Sequence, residues 1–241
     1  MIIIKMYLIY ITMLTILILL SYLIFRKISV EGFKRVKTSG VFISIGDSCN
    51  VKKQIDINIL PAATLFFDWL LTDMDSVNKV LDCNDISDIL YYDNITDLKD
   101  PKIQVPTKHS VKIKSLSKCI SIHDLPYNPS VKDTDDMIAK YKRRYYRIID
   151  HIKSDKELFF VRNGLISPKE KSEFISIIKK INPSCKFKLV ELINNNTVDS
   201  YFVNEHNFMS LNLYNYKIED IDDKDWTSSY WDWNSIFKQI D

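Results

Sequence analysis

The pattern of hydrophobic and polar positions predicts strands that alternate with helices after residue 40. Segments rich in apolar residues predict buried strands at Val41–Ile45 and Glu157–Arg162 and a further strand at Phe187–Ile193. Apolar residues at helical spacing predict a long helix that opens at Thr134 and a second helix that opens with a capping box at Ser167. This alternation is typical of an α/β fold with a mostly parallel central sheet flanked by helices.

Other segments of the domain have different patterns. Val111–Leu116 alternates with period two, which predicts a strand with one solvated face, and Lys118–Asp124 predicts the next strand. Residues 82–110 are polar and rich in Asp, which favours a surface excursion. The aromatic tail Trp226–Phe237 should pack down on the domain.

The amino-terminal segment is a long apolar stretch without charged residues. Residues 6–25 contain no charged side chain, and about 20 apolar residues match the hydrocarbon thickness of a bilayer. No cleavage site of small residues precedes Arg26, so we prefer a membrane anchor to a cleaved signal peptide. We therefore predict a transmembrane anchor over residues 1–27, a basic juxtamembrane linker over 28–40 and a folded domain over 41–241.

The positive charges around this segment are unequal. Lys5 precedes it, whereas five basic residues follow it: Arg26, Lys27, Lys34, Arg35 and Lys37. The positive-inside rule therefore predicts a single-pass protein whose carboxyl-terminal domain is cytoplasmic and whose partner is the membrane, through its amino-terminal helix.

The composition and the cysteine spacing argue against nucleic acid as a partner and against a bound metal or cofactor. The 241 residues include 33 Lys and Arg against 31 Asp and Glu, and a net charge of +2 gives no general attraction to nucleic acid. None of the 4 cysteines lies in a Cys-x-x-Cys pair, and no motif for a metal or cofactor is present, so we predict neither.

The candidate chemistry begins at Cys49. The sequence Gly46-Asp-Ser-Cys49 follows the first predicted strand and precedes a segment that can start a helix. The amino terminus of a helix favours a thiolate, which is the form of cysteine that attacks carbonyls. The same position also suits a buried structural cysteine in a tight turn.

A cysteine nucleophile needs a base within hydrogen-bond reach. We prefer His123 among the four histidines because it leaves a predicted strand end, as Cys49 does. If the two strands were adjacent and parallel, both residues would lie at one edge of the sheet. Asp68 lies among large apolar residues, where a carboxylate requires a partner.

Two other chemistries match less of the sequence. Gly46-Asp-Ser48 resembles the first block of the SGNH hydrolases, with Ser48 as nucleophile, but no histidine here has an Asp three residues before it and no Gly-x-Asn-Asp block is present. His123-Asp124 alone resembles the HD phosphohydrolases, which also need an upstream His and a distal Asp.

A set of short motifs in a fixed order resembles a known family, the papain-like cysteine peptidases of the domain of unknown function DUF1796. The motifs are Ser44-Ile-Gly-Asp-Ser-Cys49, Phe67-Asp-Trp69, His123-Asp124, the basic run Lys140–Arg144, Phe160-Val-Arg162 and Trp233-Asn-Ser-Ile-Phe237. This resemblance spans residues 41–237.

The resemblance implies specific roles. Cys49 would be the nucleophile and His123 the general base, with Asp68 or Asp124 orienting the histidine. Two features depart from papain-like enzymes: a buried strand leads into the cysteine, and no clear Gln precedes it to stabilise an oxyanion, since Gln54 lies downstream.

The resulting hypothesis is a membrane-anchored cysteine peptidase, amide hydrolase or acyltransferase that acts on a protein or another amide. The alternatives are a non-catalytic, membrane-tethered interaction module and a serine hydrolase that uses Ser48.

Overall fold

The computed structural model describes residue 13 and residues 35–59, 63–98, 108–126, 128–194, 202–218 and 227–241. The chain divides into two units, Met1–Arg35 and Val36–Asp241. The predicted anchor over residues 1–27 lies outside the described residues, apart from Met13. In the part of the chain that the structure describes, no helix is both long and apolar enough to cross a membrane.

The second unit contains five α-helices and nine strands within the described ranges. The helices are α1 (Asn50–Asn58), α2 (Met74–Asp82), α3 (Val131–Lys153), α4 (Pro168–Ile181) and α5 (Trp233–Ile240). The strands are β1 (Val41–Ser44), β2 (Leu70–Thr72), β3 (Ile95–Asp97), β4 (Lys108–Ile113), β5 (Cys119–Pro126), β6 (Leu158–Asn163), β7 (Phe187–Ile193), β8 (Phe202–Glu205) and β9 (Phe208–Asn212). Three short 3₁₀ helices, Ile86–Asp88, Tyr92–Asn94 and Leu213–Tyr216, complete it.

Five strands form what we call the main sheet, in the order β1-β6-β7-β9-β8. The first four are parallel, and β8 pairs antiparallel with β9 at the edge. Both faces of this sheet are covered: Leu158 and Phe160 of β6 join one apolar core, and Phe159 and Val161 join the other. Strands buried on both faces are continuous apolar runs, so the predicted mostly parallel α/β sheet is confirmed.

The remaining strands form a second sheet, which we call the antiparallel sheet, in the order β2-β5-β4-β3. The expectation that the strands before Cys49 and His123 are parallel neighbours is wrong, since β1 and β5 belong to different sheets. The reason is the short connection from β4 to β5, because neighbouring strands joined so closely can pair only antiparallel. Strand β3 arises inside the predicted polar excursion, where three residues are too few to form a pattern.

Local sequence signals start the helices. At α4, Ser167 accepts a hydrogen bond from the Glu170 amide, and Pro168 occupies the first turn, so the predicted capping box is confirmed. Helix α3 begins at Val131, three residues before the predicted start, because Ser130 and Asp133 form a second capping box there. The predicted packing of the aromatic tail is confirmed at Trp231, Trp233 and Phe237, which are buried.

Candidate functional site

The turn between β1 and α1 carries Cys49 and is tightly constrained. Gly46 has φ of 90° and Asp47 has φ of 69°, both in the left-handed region. A Cβ atom at Gly46 would lie 1.6 Å from the Thr72 hydroxyl oxygen, so only glycine fits against β2. Left-handed residues in a short turn are costly and occur most often where a side chain must be presented in one direction.

Cys49 is the N-cap residue of α1, at the carboxyl end of β1. Its side chain is 6% exposed and makes no capping hydrogen bond. Burial raises the pKa of the Cys49 thiol to about 11, and the negative charges of Asp124 and Asp68 contribute to this shift. The helix amino terminus acts in the opposite direction. The group is therefore a neutral thiol at pH 7, and a separate base must remove its proton during attack.

Behind the turn lies Arg162, a charged side chain that is only 5% exposed. Its Nη1 donates to the carbonyl oxygens of Ile45, at 3.4 Å, and Thr72, at 3.2 Å. Its Nη2 also donates to Thr72, at 3.2 Å, and lies 3.5 Å from Asp47 Oδ1. Lys118 Nζ donates to the same carboxylate oxygen at 3.3 Å. One guanidinium therefore links the end of β1, the end of β2 and the turn that carries Cys49.

Asp68 is buried near Cys49 and has few donors. Its Oδ2 accepts a hydrogen bond from the Leu65 amide at 2.7 Å and lies 3.4 Å from the buried ammonium of Lys52. Lys52 also pairs with Asp56 at 2.8 Å. Burial raises the pKa of Asp68 to about 6 even though Lys52 and the Leu65 amide oppose the shift. Trp69, which follows it, has φ of 67°, an uncommon conformation for a bulky residue.

Asp124 lies on a bulge of β5. Val111 pairs with Ser121 and His109 pairs with Leu125, so three residues of β5 stand opposite Ser110 alone. The bulge turns Asp124 toward α3, where its carboxylate accepts hydrogen bonds from Lys140 and from the Tyr141 hydroxyl, and it also accepts one from Ser121. Burial of Asp124 acts to raise its pKa, but these three donors prevail and lower it.

His123 lies on the same bulge, with an exposed side chain. In the described ranges, neither its imidazole nor the Cys49 thiol has a hydrogen-bond partner. The structure thus brings Asp68 and Asp124 within electrostatic range of Cys49 and leaves the predicted base facing solvent. Its role in catalysis stays a prediction.

The described residues give little support to the two other predicted chemistries, a Ser48 nucleophile and a metal site. The Ser48 hydroxyl donates a hydrogen bond to the Asn50 side-chain oxygen at 2.5 Å. An amide oxygen cannot act as a general base, so this contact does not activate Ser48. Among the residues that the structure describes, no group of three or more His, Cys, Asp and Glu side chains could hold a metal ion.

Sequence reasoning did not assign roles to the cations of this site. Arg162, Lys52 and Lys140 each contact a carboxylate near Cys49. Arg162 carries the clearest signal, because it follows directly on the fully apolar part of its strand, Leu158–Val161. A buried charge requires a partner, and this requirement could have pointed to an acidic residue on a neighbouring turn.

The geometry defines an α/β domain with a cysteine at a helix amino terminus, at the carboxyl edge of a parallel sheet. The family described as "Putative papain-like cysteine peptidase (DUF1796)" matches residues 40–198. The match covers about two thirds of the 241 residues, and the chain therefore belongs to this family. No curated protein and no solved structure matches the chain.

The matched range includes Cys49, Asp68, His123, Asp124 and Arg162. It ends before α5, so the Trp233–Phe237 motif lies outside it.

Proposed function

We propose that this protein is a cysteine hydrolase that cleaves amide bonds, with Cys49 as its nucleophile. The observation that carries the proposal is the place of Cys49 as the N-cap residue of α1, after a strained turn at the carboxyl edge of the main sheet. Ligand sites of open α/β sheets lie at this edge. Membership of the peptidase-like family supports the reaction class.

The protonation of Cys49 determines how the reaction begins. Because its thiol pKa is about 11, the sulfur is not a thiolate at rest, and the proton moves to a base as the sulfur–carbon bond forms. We propose His123 as that base. The tetrahedral intermediate then collapses, the carbon–nitrogen bond breaks, and the imidazolium returns the proton to the leaving amine. Water releases the acyl group from the thioester in hydrolysis, and an amine does so in acyl transfer.

This role requires the exposed imidazole to turn toward Cys49. The bulge at Ile122–Asp124 supports such a movement, because bulged residues are not held by a regular ladder. Of the two carboxylates that could orient the imidazole, we prefer Asp124. It is next to His123 in sequence and uses three of the roughly four acceptor positions of a carboxylate. One position is left for an imidazole N–H.

The test is amide hydrolysis by the full-length protein in detergent, screened against a pool of fluorogenic peptides. Cys49→Ser should abolish cleavage, and His123→Ala should reduce it by about 100-fold or more, since general-base catalysis contributes roughly that much. Cys185→Ser, at a buried cysteine in the loop before β7, is the matched control and should retain activity. Hydrolysis that survives Cys49→Ser would exclude the proposal, and loss of hydrolysis in Ser48→Ala with Cys49 intact would favour a serine enzyme.

A second function is favoured by one observation. Cys49 is nearly inaccessible, and its raised pKa disfavours the reactive form, as expected for a non-catalytic interaction module. If the peptide pool is never cleaved and Cys49→Ala still binds the same cellular partners as the wild type, the module is the better description.

We also propose that residues 6–25 anchor this domain in a membrane with the domain on the cytoplasmic side. The uncharged apolar segment and the excess of Lys and Arg after it support this orientation. Alkaline carbonate extraction of isolated membranes tests the anchoring, and protease accessibility in sealed vesicles tests the side.

A further inference from the structure

Arg162 is the least expected side chain of the site, because it lies near the end of a buried strand and its charge is withdrawn from water. Its guanidinium contacts Ile45, just after β1 of the main sheet, and Thr72, at the end of β2 in the antiparallel sheet. The Asp47 carboxylate supplies its counter-charge at 3.5 Å. Buried charges are expensive unless they are paired and hydrogen-bonded, so this side chain does something that an apolar residue cannot.

We infer that Arg162, together with Asp47, is a positioning residue that locks the Cys49 turn against the antiparallel sheet. This inference rests on the proposed function, because the antiparallel sheet carries His123 and Asp124 and the main sheet carries Cys49. The two halves of the site are on different sheets, and Arg162 is a side chain that bonds to the strand ends of both. Its contacts therefore hold the turn of the nucleophile against the sheet that carries the proposed base.

The surrounding backbone fits this role closely. The Asp47 amide donates to the Thr72 carbonyl at 3.2 Å, and the Thr72 hydroxyl donates to the Ile45 carbonyl at 3.2 Å. On the other side, a Cβ atom at Gly164 would lie 3.4 Å from Asp47 Oδ2, and Gly164 has φ of 126°. The Asp47 carboxylate is thus held between Arg162, Lys118 and the backbone of Gly164.

Lysine cannot replace arginine in this position. The planar guanidinium presents several N–H donors in a fixed fork, so it can reach two carbonyls and one carboxylate together, whereas an ammonium is a single point charge. Arg162→Lys keeps the charge and loses the fork, and Arg162→Ala loses both. Asp47→Asn keeps the shape of the counter-ion and removes its charge, which makes it the mildest change.

The labelling rates of the four free cysteines show which part of the protein a substitution exposes. Cys49, Cys119 and Cys185 are buried, whereas Cys83 is partly exposed. In the full-length protein, timed iodoacetamide labelling followed by peptide mass spectrometry measures each thiol separately. In Arg162→Ala, we expect labelling of Cys49 to accelerate by about tenfold or more, because the loosened turn exposes it, while Cys119 and Cys185 stay protected. Hydrolysis should fall by about 100-fold, as expected for a nucleophile misplaced by about 1 Å.

Two further experiments distinguish a positioning role of Arg162 from a general loss of protein stability. Free guanidinium at low millimolar concentration should restore both Cys49 protection and hydrolysis to Arg162→Ala, whereas a merely destabilised protein would not recover, because guanidinium at this concentration does not change general stability. Arg143→Ala removes a solvent-facing arginine of α3 and should change neither quantity. Asp47→Asn and Arg162→Lys should both show faster labelling of Cys49 alone.

The outcomes are distinct. Equal acceleration at Cys49, Cys119 and Cys185 would overturn the inference, because it would indicate global unfolding. Unchanged Cys49 labelling in all three variants would also overturn it. If Cys49→Ser retains hydrolysis, the proposed function fails, but selective exposure of Cys49 in Arg162→Ala would still establish the lock between the two sheets.

Discussion

The carboxylates of Asp68 and Asp124 both raise the pKa of the Cys49 thiol, but their environments shift their own pKa values in opposite directions. Asp68 has one amide donor at 2.7 Å and an ammonium at 3.4 Å, and burial raises its pKa to about 6. Asp124 is less deeply buried and has three side-chain donors, which lower its pKa. The number and closeness of donors, not burial alone, decides whether a carboxylate remains charged.

The difference gives the two carboxylates different charge states in mildly acidic conditions. Asp124 stays ionised across the physiological range, so it can orient a base or stabilise an imidazolium. Asp68 is poised to gain a proton in mildly acidic conditions, and its main charged contact is the buried Lys52. Four measurements test this contrast between Asp68 and Asp124.

The largest effect should come from removing the Asp124 carboxylate. Asp124→Ala leaves Lys140, Tyr141 and Ser121 without their acceptor. We expect the free energy of unfolding in urea at pH 7 to fall by about 4 kcal/mol, because three donors lose a charged acceptor and each such hydrogen bond contributes roughly 1.5–3 kcal/mol. The matched control is Asp82→Ala, which breaks an exposed pair with Lys180 and should cost well under 1 kcal/mol by the roughly 0–1 kcal/mol rule for surface pairs. Equal losses in the two variants would contradict the assignment.

The next effect is the pH dependence of stability through Asp68. Its folded-state pKa of about 6 lies above the ordinary value of 3.8, so the folded state binds this proton more tightly than the unfolded state does. The stabilisation is complete below about pH 4 and is lost as pH rises through 6, by about 3 kcal/mol in total. Urea unfolding at pH values of about 4.5 and 7.5 should show a loss of about 2 kcal/mol in the wild type that Asp68→Asn lacks. Parallel pH profiles for the two proteins would refute the raised pKa.

A smaller effect should follow the loss of one donor to Asp124. Tyr141→Phe removes a hydroxyl that donates to Asp124 Oδ2. Hydrogen bonds to a charged group contribute roughly 1.5–3 kcal/mol, and Lys140 and Ser121 still hold the carboxylate, so we expect a loss of about 1.5 kcal/mol in urea unfolding. Tyr146→Phe, on the exposed side of the same helix, is the control and should be neutral. If Tyr141→Phe is equally neutral, Lys140 and Ser121 suffice to hold the carboxylate.

The smallest effect concerns the thiol itself. Asp124 and Asp68 both raise the pKa of Cys49, but burial is the larger cause. Asp124→Asn and Asp68→Asn should each lower that pKa by less than about one unit, with the larger shift for Asp124. The measurement is the pH dependence of iodoacetamide labelling at Cys49, with the fully buried Cys119 as the reference thiol. The reverse ranking of the two variants would show that Asp68, not Asp124, is the closer charge.

Much of the fold followed from local pattern. The apolar runs at β1, β6 and β7, the capping box at Ser167 and the aromatic tail each have a local physical cause, and all were correctly predicted. The antiparallel pairing of β5 was not, because pairing depends on which strands the rest of the chain makes available. The bulge at Ile122–Asp124 was missed for the same reason, since it exists only relative to β4.

The candidate site also has some features that follow from local sequence and others that depend on the fold. Local pattern is enough to place Cys49 between a buried strand and a helix, and to show Arg162 and Asp68 as charged residues among apolar neighbours. The folded arrangement was needed to show that Arg162 faces Asp47 and that burial keeps the Cys49 thiol protonated. It was also needed to show that Asp124 turns to Lys140 and Tyr141 while His123 faces solvent. The reason is that strand and helix preferences act over a few neighbouring residues, whereas desolvation and charge pairing depend on groups far apart in the chain.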